Sequence, residues 1–200
     1  LEYRWDLNND GVYDTSWSTD STTSFTWMDD YTGIVVLQVS DGEDCDTDTS
    51  CVTILNVAPT AELRNDGPVD ERSMVTVSFI NQYDPGTDTF TYSYDWNNDG
   101  TYDIINSASP TASYTWCDNG LYTVKGKIMD DDGGSNEYYT TVEVLNVAPI
   151  VTVGADIMIY PGDTMISSGS FIDPGCDTWS AKVDDGDGCG NDDGGADDEN

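Results

Sequence analysis

Hydrophobic and polar residues alternate in short runs along most of the chain. Val35, Leu37 and Val39 occupy every second position, and Val124, Gly126 and Ile128 alternate with polar residues in the same way. Such runs, rich in Thr, Tyr and Val and separated by Gly, Asp, Asn and Pro, predict short β-strands. No segment has the period of an amphipathic helix. The pattern therefore predicts an all-β protein, and parallel sheets are unfavourable without crossover helices.

The chain repeats itself with a period of 89 or 90 residues. The sequence WDLNNDGVYD at Trp5–Asp14 returns as YDWNNDGTYD at Tyr94–Asp103, and LNVAP occurs at Leu55–Pro59 and at Leu145–Pro149. A period near 90 is the size of one immunoglobulin-like β-sandwich. The sequence therefore predicts a tandem array of such sandwiches.

Further matches set the phase of the array. Ser24–Trp27 matches Ser113–Trp116, and Asp84–Gly86 matches Asp173–Gly175. We interpret residues 1–55 as the later part of one domain and residues 56–146 as a complete domain. Residues 147–187 form the first part of a third domain, and residues 188–200 form an acidic tail rich in Gly and Asp.

Two interpretations of the incomplete outer domains stay open. In the first, the chain is a processed product or a segment of a longer array, since it begins at Leu1 without an initiator Met or a signal peptide. In the second, the front half at the C-terminus of one subunit completes the back half at the N-terminus of the next, which would propagate a head-to-tail filament. The aromatic segment before the NNDG sequence is present in both outer parts, which argues against a clean split.

The charge of the chain restricts its partners. It has 39 acidic and 6 basic residues, no histidine and a net charge of −33. Self-repulsion of this size disfavours a compact fold unless cations or high salt neutralise it. Nucleic acid is excluded as a partner because no basic patch is available, and no apolar run approaches the ~18 residues of a membrane-inserted helix. The acidic composition, rich in Thr and Ser and compatible with disulfides, favours an extracellular or cell-surface location.

The two NNDG segments carry the spacing of a calcium loop. Oxygen-bearing side chains stand at loop positions 1, 3, 5 and 9, a glycine stands at position 6, and a backbone carbonyl is offered at position 7. The predicted Ca²⁺ ligands are Asp6, Asn8, Asp10, Val12 and Asp14 in the first copy and Asp95, Asn97, Asp99, Thr101 and Asp103 in the second.

The calcium prediction has a gap and an alternative. Position 12, where a bidentate Glu is usual, holds Trp17 in one copy and Asn106 in the other. Further oxygens would have to come from elsewhere, such as Asp20 or the cluster 130–132. The alternative is that Asn-Asn-Asp-Gly is a plain turn, since these residues tolerate left-handed conformations.

Five cysteines permit at most two internal disulfides. Cys45 and Cys51 flank a polar segment, and we predict that they form a disulfide. Cys176 and Cys189 form a second candidate pair, which leaves Cys117 unpaired. The alternative is a set of free thiols.

The residue types argue against catalysis. The absence of histidine removes Ser-His-Asp and Cys-His chemistry and the usual zinc sites. Carboxylate pairs are too numerous to nominate one dyad, so we expect a non-enzyme. Four aromatic residues are candidates for a carbohydrate-binding face, although packing within the sandwich is favoured for them: Trp27, Trp116, Tyr138 and Tyr139.

Several segments together resemble the PKD domain family. They are Tyr122–Ser135, the NVAP junctions, Gly169–Trp179 and the pairs Trp5-Asp6 and Tyr94-Asp95. The resemblance implies PKD-type immunoglobulin-like sandwiches of extracellular proteins, often in tandem. Many PKD domains have a short GDG turn where this chain has the longer NNDGxYD loop. The resemblance alone therefore does not imply calcium.

Three functions follow as hypotheses. The first is a calcium-stiffened structural or adhesive repeat whose partners are neighbouring copies of the chain or adjacent repeats of a longer chain. The second is an accessory module of a secreted hydrolase that binds an extracellular polymer or a protein. The third is a halophilic spacer without specific metal sites, whose stability would follow ionic strength in general.

Overall fold

The computed structural model describes residues 1–182, which contain thirteen β-strands and no helix long and apolar enough to cross a membrane. The described chain falls into two compact units, residues 1–146 and the residues from 147 onward. In chain order the strands are β1 (Glu2–Asp6), β2 (Tyr31–Ser40), β3 (Cys45–Ile54), β4 (Thr60–Asn65), β5 (Val69–Asp70), β6 (Met74–Tyr83), β7 (Thr91–Asp95), β8 (Ile104–Ser107), β9 (Thr111–Thr115), β10 (Gly120–Met129), β11 (Ser135–Leu145), β12 (Ile150–Val153) and β13 (Gly169–Ile172).

The central repeat, residues 56–146, is a complete two-sheet sandwich. One sheet has the order β5-β11-β10-β7-β8 and the other has the order β4-β6-β9. The pairs are antiparallel except for a two-residue parallel contact of β5 with the end of β11. The prediction of an all-β, immunoglobulin-like architecture is confirmed.

The core of this sandwich comes from alternate residues of facing strands, as the period of two predicts. Val124 and Ile128 are fully buried, and Gly126 between them lies against the opposite sheet. A Cβ added to Gly126 would stand 2.7 Å from Phe79 Cζ and 3.0 Å from both Leu63 methyl carbons. The absence of a side chain here is what lets the large Phe79 ring fill the core.

The hydroxyl of Tyr94 is a polar group buried in the core of the central repeat. The ring of Tyr94 is fully buried and stacks on Trp96, and its hydroxyl has no hydrogen-bond partner. Burial raises the pKa of Tyr94. A buried hydroxyl without a partner costs about 1–3 kcal/mol. We therefore expect Tyr94→Phe to leave the free energy of unfolding unchanged or to raise it by about 1 kcal/mol, as measured by urea denaturation. A loss of stability would show that the hydroxyl is hydrogen-bonded after all.

The first repeat contributes one sheet, with the order β1-β2-β3. Its register repeats that of the central repeat, since Trp5 pairs with Leu37 where Tyr94 pairs with Gly126. The matching segment Ser24–Trp27 does not form a strand here. In the central repeat the equivalent strand β9 pairs with β6, and the described residues of the first repeat contain no counterpart of β6.

The third repeat contributes the antiparallel pair β12 and β13, in which Val153 pairs with Gly169. This pair corresponds to β4 and β6, where Leu63 pairs with Phe79. In the third repeat, Asp184, Gly186 and Gly188 align with Asp95, Asn97 and Asp99, so the sequence predicts that this calcium loop is degraded or absent there. These residues and the predicted tail lie outside the described residues.

The prediction of a Cys45–Cys51 disulfide is wrong, because both residues are exposed free thiols. They lie on the same strand, β3, six residues apart. An extended strand separates them by about 20 Å, whereas a disulfide requires Cα atoms about 4.4–6.8 Å apart. The prediction that Cys117 is unpaired is also wrong, since it is disulfide-bonded. Cys176 is disulfide-bonded as well, and Cys189, its predicted partner, lies outside the described residues.

Exposed thiols on one strand should react without unfolding. We expect iodoacetamide to modify Cys45 and Cys51 in the native protein, with the sites located by peptide mass spectrometry. Cys117 and Cys176 should remain unmodified until the protein is reduced. Protection of Cys45 and Cys51 in the native protein would contradict the exposed positions of the two residues.

Candidate metal sites

The second predicted calcium loop, residues 95–103, is a tight turn built on a buried carboxylate. Asp95 is fully buried at the end of β7 and accepts hydrogen bonds from the backbone N–H groups of Asp99 (3.3 Å) and Gly100 (2.9 Å). Asp99 in turn accepts from the N–H of Thr101 (2.8 Å), which lowers the pKa of Asp99. These bonds fold the loop around the side chains of positions 1, 3 and 5.

The other predicted ligands of this loop, at positions 3, 5 and 9, form separate hydrogen bonds. Asn97 Nδ2 donates to Asp99 Oδ2 at 3.0 Å, so positions 3 and 5 are in contact. Asp103, at position 9, accepts from the N–H of Trp96 at the base of the loop (2.9 Å). The backbone at Asn98 and Gly100 has φ values of 52° and 93°, a conformation that Asn and Gly tolerate.

The first loop, residues 6–14, has the same construction. Asp6 is 3% exposed and accepts from the N–H of Gly11 (2.9 Å), and Asp14 accepts from the N–H of Leu7 (2.7 Å). Asp10 accepts from the N–H of Val12 at 2.8 Å. The two loops therefore share one geometry, as the repeated sequence predicts.

Neither loop brings three carboxylates together. Among the described residues, the carboxylate oxygens of positions 1, 5 and 9 do not all lie within 4.8 Å of one another in either copy. Asp20, proposed as an additional ligand, instead accepts from the N–H and hydroxyl of Thr22, which lowers the pKa of Asp20. Calcium at the ten loop residues stays a prediction.

Three other carboxylates do converge, where the first repeat meets the central one. One oxygen from each of Asp29, Asp88 and Asp132 lies within 4.8 Å of the other two. Asp29 follows Trp27 in the first repeat, Asp88 lies between β6 and β7, and Asp132 lies in the turn between β10 and β11. We call these residues, together with Asp30 and Asp84, the joint cluster. The cluster thus draws on both repeats.

Short contacts fix the loops that carry the joint cluster. Thr87 donates its hydroxyl to the carbonyl of Met28 at 2.9 Å, which connects the central repeat to the first. The buried Asp130 accepts from Asn56 Nδ2 (3.0 Å) and from the N–H of Gly134 (2.6 Å), so it ties the inter-repeat segment to the β10–β11 turn. Asp130 therefore holds the turn in place, and its neighbour Asp132 faces the cluster.

The carboxylates of the joint cluster are crowded. Asp84 Oδ2 and Asp88 Oδ1 are shielded from solvent and have no hydrogen-bond donor. Desolvation and the adjacent Asp84 raise the pKa of Asp88 to about 7. Desolvation and the adjacent Asp30 also raise the pKa of Asp132. A cavity of about 170 Å³ beside them is lined by both repeats, including Asp29, Asp30, Asp84 and Asp88. Oxygen ligands and excess negative charge suit a hard divalent cation.

Sequence reasoning named the segment 130–132 as a source of extra ligands but missed Asp29, Asp84 and Asp88. A signal was present, because the sequence Asp-Pro-Gly at 84–86 recurs at 173–175. A recurring loop marks a position in the sandwich. It does not show which neighbouring repeat faces it, so the cluster is visible only once the repeats are packed.

The aromatic candidates for a carbohydrate face are mostly occupied by packing. Trp116 is buried against Trp96 and Tyr122, and Tyr138 packs on the core and accepts from the N–H of Ala61. Tyr139 is exposed and Trp27 is partly exposed, stacked on Tyr31. The preference for packing is supported at Trp116 and Tyr138.

On the outer face of the sheet, Lys125 already has a partner. Lys125 forms an ion pair with Glu137 at 2.8 Å, and Tyr102 donates its hydroxyl to the same carboxylate at 2.6 Å. Burial and the adjacent Glu137 raise the pKa of Tyr102 to about 12. Tyr102 belongs to the second loop, so this network fastens the loop to the sheet.

Residues 56–144 match the family model described as "PKD domain". Three solved structures are similar over nearly their whole length, and each covers 44–45% of this chain. They are the PKD1 domain of Vibrio anguillarum Epp (24% identity, 96% of that chain, TM-score 0.35), the PKD1 domain of the Vibrio cholerae metalloprotease PrtV (21%, 98%, 0.34) and the PKD domain of an M14-like peptidase from a Thermoplasmatales archaeon (24%, 98%, 0.34). No curated protein matches the chain. The family match supports the assignment of the central repeat to the PKD family.

Proposed function

We propose that this chain, whose central repeat matches the PKD domain, is an extracellular, non-catalytic structural or adhesive repeat that calcium stiffens at the joint between repeats. The observation that carries the proposal is the convergence of Asp29, Asp88 and Asp132 from two successive repeats. The disulfide-bonded Cys117 and Cys176 are compatible with an oxidising compartment.

Calcium fits the joint cluster better than the smaller magnesium ion. Ca²⁺ accepts six to eight oxygen ligands in flexible geometry, whereas Mg²⁺ demands a near-ideal octahedron and gives up its waters reluctantly. The cluster offers up to five carboxylates and the carbonyl groups of exposed loops. Without a cation the carboxylates of the cluster repel one another, whereas a bound cation would attract all of them. The binding free energy would therefore oppose separation of the first and central repeats.

The two loops are a second class of proposed site. Their side chains at positions 3 and 5 are in contact, and the carboxylates at position 1, Asp6 and Asp95, are buried at the base of each loop. The hydrogen bonds to backbone N–H groups also hold the loops in shape without an ion. We therefore propose that the joint cluster accounts for most of the stabilisation by calcium and the loops for less.

Calcium titration at constant ionic strength tests the proposal. Isothermal titration calorimetry of the chelator-treated chain should show binding, and Tm should rise with calcium while magnesium has a smaller effect. At a concentration 100 times Kd, binding adds about 2.7 kcal/mol. A 150–250-residue protein gains about 2–4 °C in Tm per kcal/mol, so the expected rise is about 5–10 °C.

Two outcomes would reject the proposal. In the first, sodium chloride stabilises the protein as much as calcium does and calorimetry detects no calcium binding. The acidic composition would then be a halophilic adaptation. Specific retention on an extracellular polymer without any calcium effect would favour an accessory binding module instead.

A further inference from the structure

The sequence contains a single Asn-Gly step, at Asn119 and Gly120. Asparagine is among the thermolabile residues of proteins, because its side-chain amide can be lost to attack by the next backbone nitrogen. Glycine in the next position favours this attack, since it has no side chain to hinder its nitrogen and restricts the backbone least. A fold prevents the reaction when it holds either reacting group, so the surroundings of Asn119 determine whether it reacts.

The side-chain amide of Asn119 is exposed and has no hydrogen-bond partner within residues 1–182. Asn119 lies in the turn between β9 and β10, where its backbone N–H donates to Asp118 Oδ1 at 2.9 Å. Six other asparagines donate an amide hydrogen to an oxygen: Asn8, Asn56, Asn65, Asn81, Asn97 and Asn136. Such bonds restrict rotation of the amide toward the next nitrogen, and no bond of this kind restricts Asn119.

The attacking nitrogen is also less restrained at this step than at the related Asp-Gly steps, which undergo the same cyclisation more slowly. In four of the five Asp-Gly steps of the described residues, the glycine N–H donates to a side-chain oxygen of an earlier residue. These glycines are Gly11, Gly42, Gly67 and Gly100, with distances of 2.9–3.0 Å. Within residues 1–182 no side-chain oxygen accepts from the N–H of Gly120, which is the first residue of β10. The end of a strand opens more readily than its middle.

We propose that Asn119 is a site of spontaneous deamidation. The backbone nitrogen of Gly120 loses its proton to solvent and bonds to Cγ of Asn119, and Nδ2 leaves as ammonia. Water then opens the resulting succinimide ring at one of its two carbonyl groups. The net reaction consumes one water and converts asparagine into aspartate or isoaspartate, and the released ammonia takes up the proton of the new carboxyl group.

Deamidation gives the central repeat a carboxylate that the first repeat already has. Asp118 and Asn119 lie 89 residues after Asp29 and Asp30, which belong to the joint cluster. Aspartate at 119 reproduces the Asp-Asp pair of the first repeat, whereas isoaspartate adds the same charge and lengthens the backbone by one methylene group. This modification goes beyond the proposed function, and its chemistry does not depend on calcium at the joint cluster.

Peptide mass spectrometry of the 200-residue chain during long incubation at mildly alkaline pH tests the proposal. The readout is replacement of the side-chain NH₂ group by OH in the peptide that carries Asn119, and labelling by an isoaspartate methyltransferase identifies the product. We expect Asn119 to lose most of its amide before any of the six hydrogen-bonded asparagines loses a measurable part. Asn119→Gln should abolish the change in this peptide, because the larger ring that glutamine must form closes much more slowly.

Asp66→Asn is the matched control, because it creates a second Asn-Gly step at a position that the fold holds. Asp66 Oδ1 accepts from the N–H of Thr76 at 2.8 Å, and the N–H of Gly67 donates to Asn65 Oδ1 at 3.0 Å. The native variant should lose the amide at 66 more slowly than the amide at 119, whereas in concentrated urea the two should be lost at similar rates.

Two results would overturn the proposal. One is equal loss at 66 and 119 in a native variant whose Trp fluorescence shows a folded protein. The other is loss of the amide of Asn119 in urea with none in the native chain over the same time. The second comparison uses the unmodified chain, so it holds even if Asp66→Asn fails to fold.

Discussion

Asp88→Asn should remove most of the calcium-induced rise in Tm. Asp88 is the central-repeat carboxylate that lies beside Asp84, Asp132 and Asp29, and desolvation together with the adjacent Asp84 raises its pKa to about 7. Asparagine keeps one oxygen but removes the charge that attracts the ion. Of the expected rise of about 5–10 °C, we expect about 2 °C or less to remain. The measurement is differential scanning calorimetry in calcium and in chelator.

The same variant should behave differently without calcium. Removing one charge from a crowded group relieves repulsion, so the Tm of Asp88→Asn in chelator should equal or exceed that of the unmodified chain. A single substitution would then raise Tm in chelator and lower it in calcium. Such a change of sign is hard to obtain from loss of packing alone.

Asp99→Asn is the matched control, because it makes the same change of charge in the second loop. It should keep most of the calcium response while losing some stability, since Asp99 accepts from the N–H of Thr101. The reverse pattern, with the response lost in Asp99→Asn and kept in Asp88→Asn, would place the calcium in the loops. If the calcium-induced rise in Tm is the same in both variants, neither residue is the main ligand.

The sequence predicted the fold well because the fold depends on local patterns. Alternation around Val124 and Ile128 specified buried strand faces, and the repeat of 89 or 90 residues specified the unit. Both signals lie within a few residues or within one alignment of the chain on itself. The same holds for the shape of the NNDG loops, whose Asn and Gly residues adopt the left-handed backbone that the motif requires.

What the sequence did not predict depends on contacts between distant segments. The joint cluster combines residues near positions 29, 88 and 132, and nothing local to any of them indicates the others. Cys45 and Cys51 illustrate the opposite error, since proximity in sequence suggested a disulfide that an extended strand forbids. Ser24–Trp27 has the sequence of a strand, but residues 1–182 contain no strand that pairs with it.

Phe79→Ala should be among the most destabilising single substitutions in the central repeat. The ring is 3% exposed and packs against Tyr92, Tyr94 and Tyr138 from the facing sheet. Truncation of such a residue costs about 3–5 kcal/mol, because the cavity cannot collapse fully. Gly126, directly opposite, has no side chain with which to fill it. Urea denaturation followed by Trp fluorescence should report this loss in the transition of the central repeat.

Leu37→Ala provides the comparison, since Leu37 takes in the first repeat the position of Gly126, which lies opposite Phe79 in the central repeat. Leu37 is half-buried, so truncation should cost about 1 kcal/mol, the value of partial burial. A cost for Leu37→Ala that matches Phe79→Ala would contradict the half-buried position of Leu37. The pair of variants therefore compares, in the same experiment, the packing of the complete central sandwich with that of the single sheet β1-β2-β3.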